Sequence, residues 1–352
     1  MARRAVLLLA GGIAVGGMLW AAQRSLNDYQ LRLLNVAGIN IILASSLNLT
    51  NGYLGVFSLG HAGFASVGAY VSALLTFPVE RKAMMIPDLP SWLARTAWPF
   101  LPALVAGGLA AGLCAAVIGF PVLRLRGHYL AVATLGFMII VQTTAASLVS
   151  ITRGAQGING IPPATTVWWT FGVAVLCVYL TWALDHSPFG RAMRALREDD
   201  HAAQACGVPF LRVRLAAFVL GAAFAGAGGA LWGHLITVVT PSSFSFAFTF
   251  LVVLMVIVGG SGTVAGPVVG AVALTVVPEA LRLLESGMTV GAHRMPPLFG
   301  ASQLVLSVLL ILLMIYRPSG LLGGRGLRGA PGLSPAPSPG RTAAAGPRPP
   351  GE

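Results

Sequence analysis

The sequence predicts an all-α polytopic membrane protein of about ten transmembrane segments, with room for one broken or re-entrant segment among them. Hydrophobic residues make up 56% of the 352 residues and charged residues only 9%, against about a quarter charged in ordinary globular chains. Such a chain cannot cover a water-exposed surface with polar groups. The net charge of +12 resides in short segments between apolar runs, so it indicates membrane orientation rather than nucleic-acid binding.

Apolar runs long enough to cross a bilayer recur along the chain. A transmembrane helix needs about 20 residues, and the ten runs near that length lie at 5–22, 31–50, 56–77, 101–120, 129–149, 167–184, 215–237, 246–260, 264–281 and 298–316. The run at 56–77 begins in a glycine-rich stretch, so it is the one expected to be broken or re-entrant. We expect 5–22 to be a retained span rather than a cleaved signal, within a single transmembrane domain at 1–322.

Basic residues set the orientation. With the N-terminus inside, 14 of the 22 basic residues are cytoplasmic, many of them in the loop 185–214. Cytoplasmic loops carry the excess of Lys and Arg. We therefore expect both termini to be cytoplasmic, with the chain in the inner (plasma) membrane. The tail 323–352 is rich in Pro, Gly and Ala without apolar periodicity, which predicts disorder.

The loop 185–214 is the longest loop between spans on the predicted cytoplasmic side. Its residues 191–206 contain neither Gly nor Pro and are rich in good helix formers, which predicts one helix. Gly207 and Pro209 follow where a helix stop is expected. One apolar stripe of this helix is formed by Met193, Leu196 and Ala203. A short helix held between two spans is suited to transmit force from a soluble partner; a solvated connector is the alternative.

The segment Ala202-Ala203-x-x-x-Gly207 resembles the coupling loop of ABC-importer permeases. The resemblance implies that this helix docks on a separate ATP-hydrolysing subunit. His201 stands where many relatives have an acidic residue. The residues expected to couple the chain to the ATPase are Arg191, Arg194, Arg197, Glu198, His201, Ala202, Ala203 and Gly207.

Further motifs extend the resemblance over nearly all of residues 31–322. The stretches Asn51-Gly-Tyr-Leu-Gly-Val-Phe-Ser-Leu-Gly-His-Ala-Gly-Phe64 and Gly259-Gly-Ser-Gly-Thr-Val-Ala-Gly-Pro267 are similar to branched-chain amino acid permeases. Arg124-Leu-Arg-Gly-His-Tyr129 and Gly157-Ile-Asn-Gly-Ile-Pro162 resemble the M-type (LivM) subunit. The resemblance implies three kinds of partner: a homologous H-type permease, two ATP-binding subunits and a soluble substrate-binding protein. The implied cargo is a branched-chain or related hydrophobic amino acid, with urea or short amides as the alternative.

Two glycine clusters flank apolar spans, where glycine lets helices approach closely or break inside the bilayer. A broken segment offers backbone amides and carbonyls to the carboxylate and ammonium groups of an amino acid; plain helix packing is the alternative. Polar groups at membrane depth are costly unless partnered. The residues expected along the substrate path are Asn40, Ser58, Gly60, His61, Gly63, Tyr70, Tyr129, Thr134, Gly259, Gly260 and Gly262.

The sequence predicts no catalytic residue, cofactor or metal site. The three cysteines have no metal or redox spacing, and the single lysine, Lys82, follows Arg81 rather than the glycine that a phosphate-binding loop requires. Glu279 is expected to pair with Arg282 three residues along a helix. A secondary transporter driven by an ion gradient stays open as a second function, with Glu279, His61 or His234 as its titratable group.

Overall fold

The structure is a computed structural model that describes residues 16–17, 20–21, 23–87, 89–125, 127–285, 289–290, 293–294, 301–317 and 319–322. The helices are α1 (Asp28–Asn48), α2 (His61–Thr76), α3 (Val79–Met85), α4 (Ser91–Ala94), α5 (Phe100–Val122), α6 (His128–Ser147), α7 (Val149–Thr152), α8 (Val167–Asp185), α9 (Pro188–Glu198), α10 (Asp200–Ala205), α11 (Phe210–Ile236), α12 (Phe246–Gly259), α13 (Ala265–Glu285) and α14 (Ala301–Tyr316). A π-helical turn, Leu49–Tyr53, extends α1, and two 3₁₀ turns lie at Gly154–Gln156 and Pro241–Phe244. Two antiparallel pairs of two-residue strands join β1 (Ile158–Asn159) to β2 (Val238–Val239) and β3 (Thr289–Val290) to β4 (His293–Arg294).

Among the described residues, seven helical segments are long and apolar enough to cross a membrane, or eight if the bent pair α2–α3 counts as one span. The all-α polytopic fold is therefore confirmed, and the chain is a multi-pass membrane protein. The predicted count of about ten is a little high. The seven segments are Asp28–Tyr53, Phe100–Val122, His128–Ser147, Val167–Asp185, Phe210–Ile236, Pro241–Gly259 and Ala265–Arg282.

Two of the predicted spans contain helices of only 16 residues. The run at 56–77 contains a non-helical stretch, so α2 has only 16 residues, and it turns by 113° into α3. The run at 298–316 contains the 16-residue α14. Apolar composition does not distinguish an extended segment from a helix, which explains why the run at 56–77 contains a shorter helix than predicted. The predicted span 5–22 lies largely, and the tail 323–352 wholly, outside the described residues.

Helix α1 forms the centre of the bundle. Every residue from 37 to 48 is buried, and α1 packs against α8, α11, α12 and α13. Beside it, α2, α5 and α11 meet at three glycines. A Cβ atom on Gly68 would overlap the backbone of Gly226, and one on Gly107 would lie 2.7 Å from the carbonyl oxygen of Gly68. The close helix approach predicted for Gly68 is therefore present.

Contacts between distant segments define the two ends of the bundle. At one end, the turns after α1 and α12 meet the loop 185–214, where Arg197 Nη1 donates to the carbonyl oxygen of Gly52 at 2.5 Å. We call this the arginine-rich end. At the opposite end, β1 pairs with β2, and the predicted Glu279–Arg282 ion pair forms at 2.9 Å. The hydroxyl of Tyr29 joins that pair, which links the start of α1 to α13.

Candidate functional site

The loop 185–214 folds into two helices rather than the single helix predicted over 191–206. Helix α9 starts early because Ser187 caps it, with its Oγ accepting from the Gly190 N–H at 3.2 Å, and Pro188 occupies the first turn. The chain breaks at Asp199, which has extended backbone. Its carboxylate accepts from the N–H groups of His201 at 2.7 Å and Ala202 at 3.0 Å. This aspartate cap starts α10 and explains why the single-helix prediction was wrong.

Helix α10 ends at the glycine that the sequence marks as its stop. Gly207 has a φ of +83°, a left-handed conformation that favours glycine. Its N–H donates to the carbonyl of Gln204 at 2.9 Å, while the N–H of Val208 donates to that of Ala203 at 3.0 Å. These two bonds form the Schellman ending of a helix. The apolar stripe predicted for this loop is buried against the bundle, with Met193, Leu196 and Ala203 at most 5% exposed.

Three arginines fasten these helices to different parts of the bundle. Arg194 Nη2 donates to the backbone carbonyl of Asp185 at the end of α8 at 2.9 Å, and its Nη1 lies 3.1 Å from the carboxylate of the same residue. Arg197 reaches Gly52 in the turn after α1. Arg214 Nη2, on α11, contacts both carboxylate oxygens of Asp200, at 2.6 and 2.7 Å. The pair α9–α10 is therefore tied to three membrane segments.

The other predicted coupling residues face away from the bundle, apart from the buried Ala203. The exposed ones are Arg191, Glu198, His201, Ala202 and Gly207. One side of α9–α10 thus packs on the spans while the opposite side is exposed.

Replacement of Asp199 by alanine is expected to loosen α10. Hydrogen bonds from the N–H groups of Ala202 and His201 hold the pKa of the Asp199 carboxyl below its usual value of 3.8. A lowered pKa means that the cap stabilises the fold at all pH values above 3.8 and is lost only as the pH falls through the lowered value. We therefore expect faster hydrogen exchange of the α10 amides in Asp199→Ala at neutral pH. Asp199→Asn is the control because asparagine caps equally well; equal exchange in both variants would contradict a capping role.

The predicted break in the third span lies between the turn after α1 and the start of α2. Residues 54–60 are not helical, and side chains satisfy part of their backbone. The amide group of Asn51 accepts from the Ser58 N–H at 3.0 Å and donates to the Ser58 carbonyl at 3.4 Å. Thr134 Oγ1 accepts from the Leu59 N–H at 3.0 Å. Buried non-helical backbone requires such hydrogen-bond partners, so we regard this interruption as a built feature of the fold.

Five of the predicted path residues surround this interruption. Gly60 precedes α2, and a Cβ atom there would lie 2.7 Å from the carbonyl oxygen of Thr134 on α6. His61 is buried, with its Nε2 2.7 Å from Ser46 Oγ on α1. The set that the fold brings together is Ser58, Gly60, His61, Gly63 and Thr134.

The remaining path residues lie elsewhere. Gly259, Gly260 and Gly262 form the α12–α13 turn at the arginine-rich end, where the Gly262 N–H donates to Asn48 Oδ1 at 2.9 Å. Asn40 Nδ2 donates to Thr275 Oγ1 on α13 at 2.9 Å.

Two tyrosines from the same prediction are also apart from the interruption. The buried hydroxyl of Tyr70 has no hydrogen-bond partner within the described part of the chain. Tyr129 is 78% exposed on the first turn of α6. The structure therefore divides the predicted path set instead of joining it into one site.

Comparisons with known proteins agree with this architecture. The family described as "Branched-chain amino acid transport system / permease component" matches residues 29–316. The chain is 33% identical over 318 residues to the high-affinity branched-chain amino acid transport system permease protein LivM of Escherichia coli, with 81% of this chain and 68% of the relative covered. It is 24% identical to the probable LivM permease of Methanocaldococcus jannaschii, covering 81% and 90%. It is 26% identical to LivH of Salmonella typhimurium, covering 80% and 90%. No solved structure gives a significant match.

Proposed function

The chain belongs to the family of branched-chain amino acid permease components and is of the LivM type, and from this premise we propose that it is one permease subunit of an ATP-driven importer. Its cargo is a branched-chain or related hydrophobic amino acid. The family match over residues 29–316 supports the permease role directly. The proposal adds the energy source, the direction of transport and the cargo.

The importer we propose contains four further subunits. A homologous H-type permease lies beside this chain in the inner membrane, two ATP-binding subunits lie on the cytoplasmic side, and a soluble binding protein delivers substrate from outside. Similarity to both LivM and LivH relatives supports the paired permeases. The arginine-rich end faces the cytoplasm, together with both termini, because it carries Arg124, Arg191, Arg194, Arg197, Arg212 and Arg214.

The observation that carries this proposal is the attachment of α9–α10 at three points. A force that the ATP-binding subunits apply to the exposed side of these helices passes through Arg194 to α8, through Arg197 to the turn after α1, and through Arg214 to α11. The turn after α1 continues directly into the interruption at 54–60. Movement of α9–α10, which we call the lever, therefore reaches the non-helical stretch 54–60 that precedes α2.

The substrate path in this proposal follows the interruption. Ser58, Gly60 and His61 lie on or beside its last residues, and Gly63 and Thr134 close it against α6. The glycines of the α12–α13 turn serve the lever, because Gly262 packs directly against the guanidinium group of Arg197. Asn40, Tyr70 and Tyr129 line the path only if it continues beyond the interruption in both directions.

Uptake of labelled leucine, urea and ribose into vesicles that contain the complete complex tests this function. We expect uptake of leucine that requires both ATP and the binding protein. Transport of urea alone would replace the amino-acid cargo with short amides. Leucine uptake by this chain alone, driven by a proton gradient, would contradict the ATP-driven mechanism and support a secondary transporter.

A further inference from the structure

A cavity of about 360 Å³ opens at the arginine-rich end, between the interruption and the lever. Residues 55–57 form one wall, Leu125, Gly127 and the first turn of α6 form the second, and Asp200 and Arg214 form the third. The volume lies at the lower end of the range for small-molecule pockets. No predicted coupling or path residue lines it, although it touches the segments that carry both sets.

The walls of this cavity are mostly apolar. Val56 and Leu130 are almost fully buried, while Phe57 is 48% exposed and Leu125 39% exposed. A Cβ atom on Gly127 would meet no heavy atom within 4 Å, so the space beside this residue is open. The cavity therefore suits a short aliphatic side chain in contact with Phe57 and Leu130.

The polar wall consists of opposite charges. The side chain of Arg214 is only 7% exposed and that of Asp200 is 21% exposed. Both oxygens of Asp200 contact one nitrogen, Arg214 Nη2, and a carboxylate has about four lone-pair positions. Asp200 can accept further hydrogen bonds from a ligand ammonium group. The N-terminal end of the 20-residue helix α6 lies across the cavity and favours a negative charge.

From this arrangement we propose that the cavity is a cytoplasm-facing binding site for a small zwitterionic amino acid with an aliphatic side chain. The inference rests on the proposed function, since the transported solute has this chemistry. The ammonium group of the ligand contacts Asp200, its carboxylate lies at the start of α6, and its side chain packs on Phe57 and Leu130.

Occupancy of this site affects the lever directly. Asp200 is the first residue of α10. Gly55 contacts Arg197, since a Cβ atom on Gly55 would lie 2.9 Å from Arg197 Cγ. A ligand that bridges Asp200 and residues 55–57 therefore holds α9–α10 against the interruption. We expect excess leucine on the ATPase side to slow ATP turnover by the complex.

Equilibrium binding of labelled leucine to the complete complex in lipid nanodiscs, without the binding protein, tests the inference. We expect saturable binding that Asp200→Asn weakens about tenfold or more, because a hydrogen bond to a charged group is lost. Phe57→Ala, which keeps both charges, should weaken it by a smaller factor. Leucinamide and 4-methylpentanoate, each lacking one charge, should compete poorly. Arg212→Gln removes an exposed charge from the same region and serves as the matched control.

Photo-crosslinking tests where leucine binds on this chain. A diazirine analogue of leucine is expected to label residues 55–57 and 128–131 in the wild-type complex and to lose this labelling in Asp200→Asn. Labelling confined to other segments, or unchanged binding in Asp200→Asn and Phe57→Ala, would overturn the inference. Normal leucine uptake by a complex that does not bind leucine without its binding protein would also overturn it, and would leave the proposed function intact. Loss of leucine uptake itself would count against the proposed cargo instead.

Discussion

The Arg197→Glu complex is expected to hydrolyse ATP while its leucine uptake per ATP falls about tenfold or more. The guanidinium of Arg197 donates to the Gly52 carbonyl at 2.5 Å. Glutamate replaces this donor with a carboxylate that faces the carbonyl oxygen, so attraction becomes repulsion. A hydrogen bond to a charged group contributes about 1.5–3 kcal/mol, and each 1.4 kcal/mol corresponds to about a factor of ten. The ATP-binding subunits would then move α9–α10 without moving the turn after α1.

The Arg197 prediction is checked by measuring uptake and ATP hydrolysis on the same proteoliposomes. Arg212→Glu is the matched control: it reverses an exposed arginine of the same loop and should keep wild-type coupling. Arg197→Lys should retain part of the coupling because it keeps a positive donor. Wild-type coupling in Arg197→Glu, with the protein fully inserted, would contradict the role of this contact as the link between α9 and the turn after α1.

The features that the sequence predicts well are those with a local signal. Long apolar runs predict most of the spans, because the bilayer demands helices wherever the chain crosses it. The ending of α10 follows from a glycine and a proline two positions apart, and its buried stripe follows from helical periodicity. The ion pair of Glu279 and Arg282 is three residues apart in the chain. Each of these patterns lies within one helix or at its end.

The contacts that fasten the lever have no such signal. Arg197 and Gly52 are 145 residues apart, and Asn48 contacts Gly262 over 214 residues. The Asn48 amide joins α1 to the α12–α13 turn, although no neighbouring residue in the sequence marks it for that contact. The break at Asp199 did have a local signal, since aspartate is a favoured N-cap residue. The high helix propensity of residues 191–206 as a whole nevertheless predicted one continuous helix.

Gly68→Ala is expected to destabilise the permease by about 3 kcal/mol, the upper part of the usual range for overpacking. The added methyl group would overlap the carbonyl oxygen and Cα of Gly226 on α11. These are backbone atoms, so a rotamer change cannot remove the clash and the helices must separate. Gly107 on α5 also packs against Gly68. A Cβ atom on Gly107 would lie 2.7 Å from the Gly68 carbonyl oxygen. Separation of α2 from α11 therefore also disturbs α5.

Gly172→Ala makes the same chemical change but is expected not to lower the stability of the permease. Gly172 lies inside the membrane helix α8, and a Cβ atom there would meet no heavy atom within 4 Å. Alanine is favoured over glycine in a helix interior by about 0.5–1 kcal/mol, so this variant should be as stable as the wild type or slightly more stable. Thermal denaturation of both purified complexes, followed by size-exclusion chromatography, measures the difference. If Gly68→Ala denatures at the wild-type temperature, then α2, α5 and α11 do not meet as closely as the three glycines indicate.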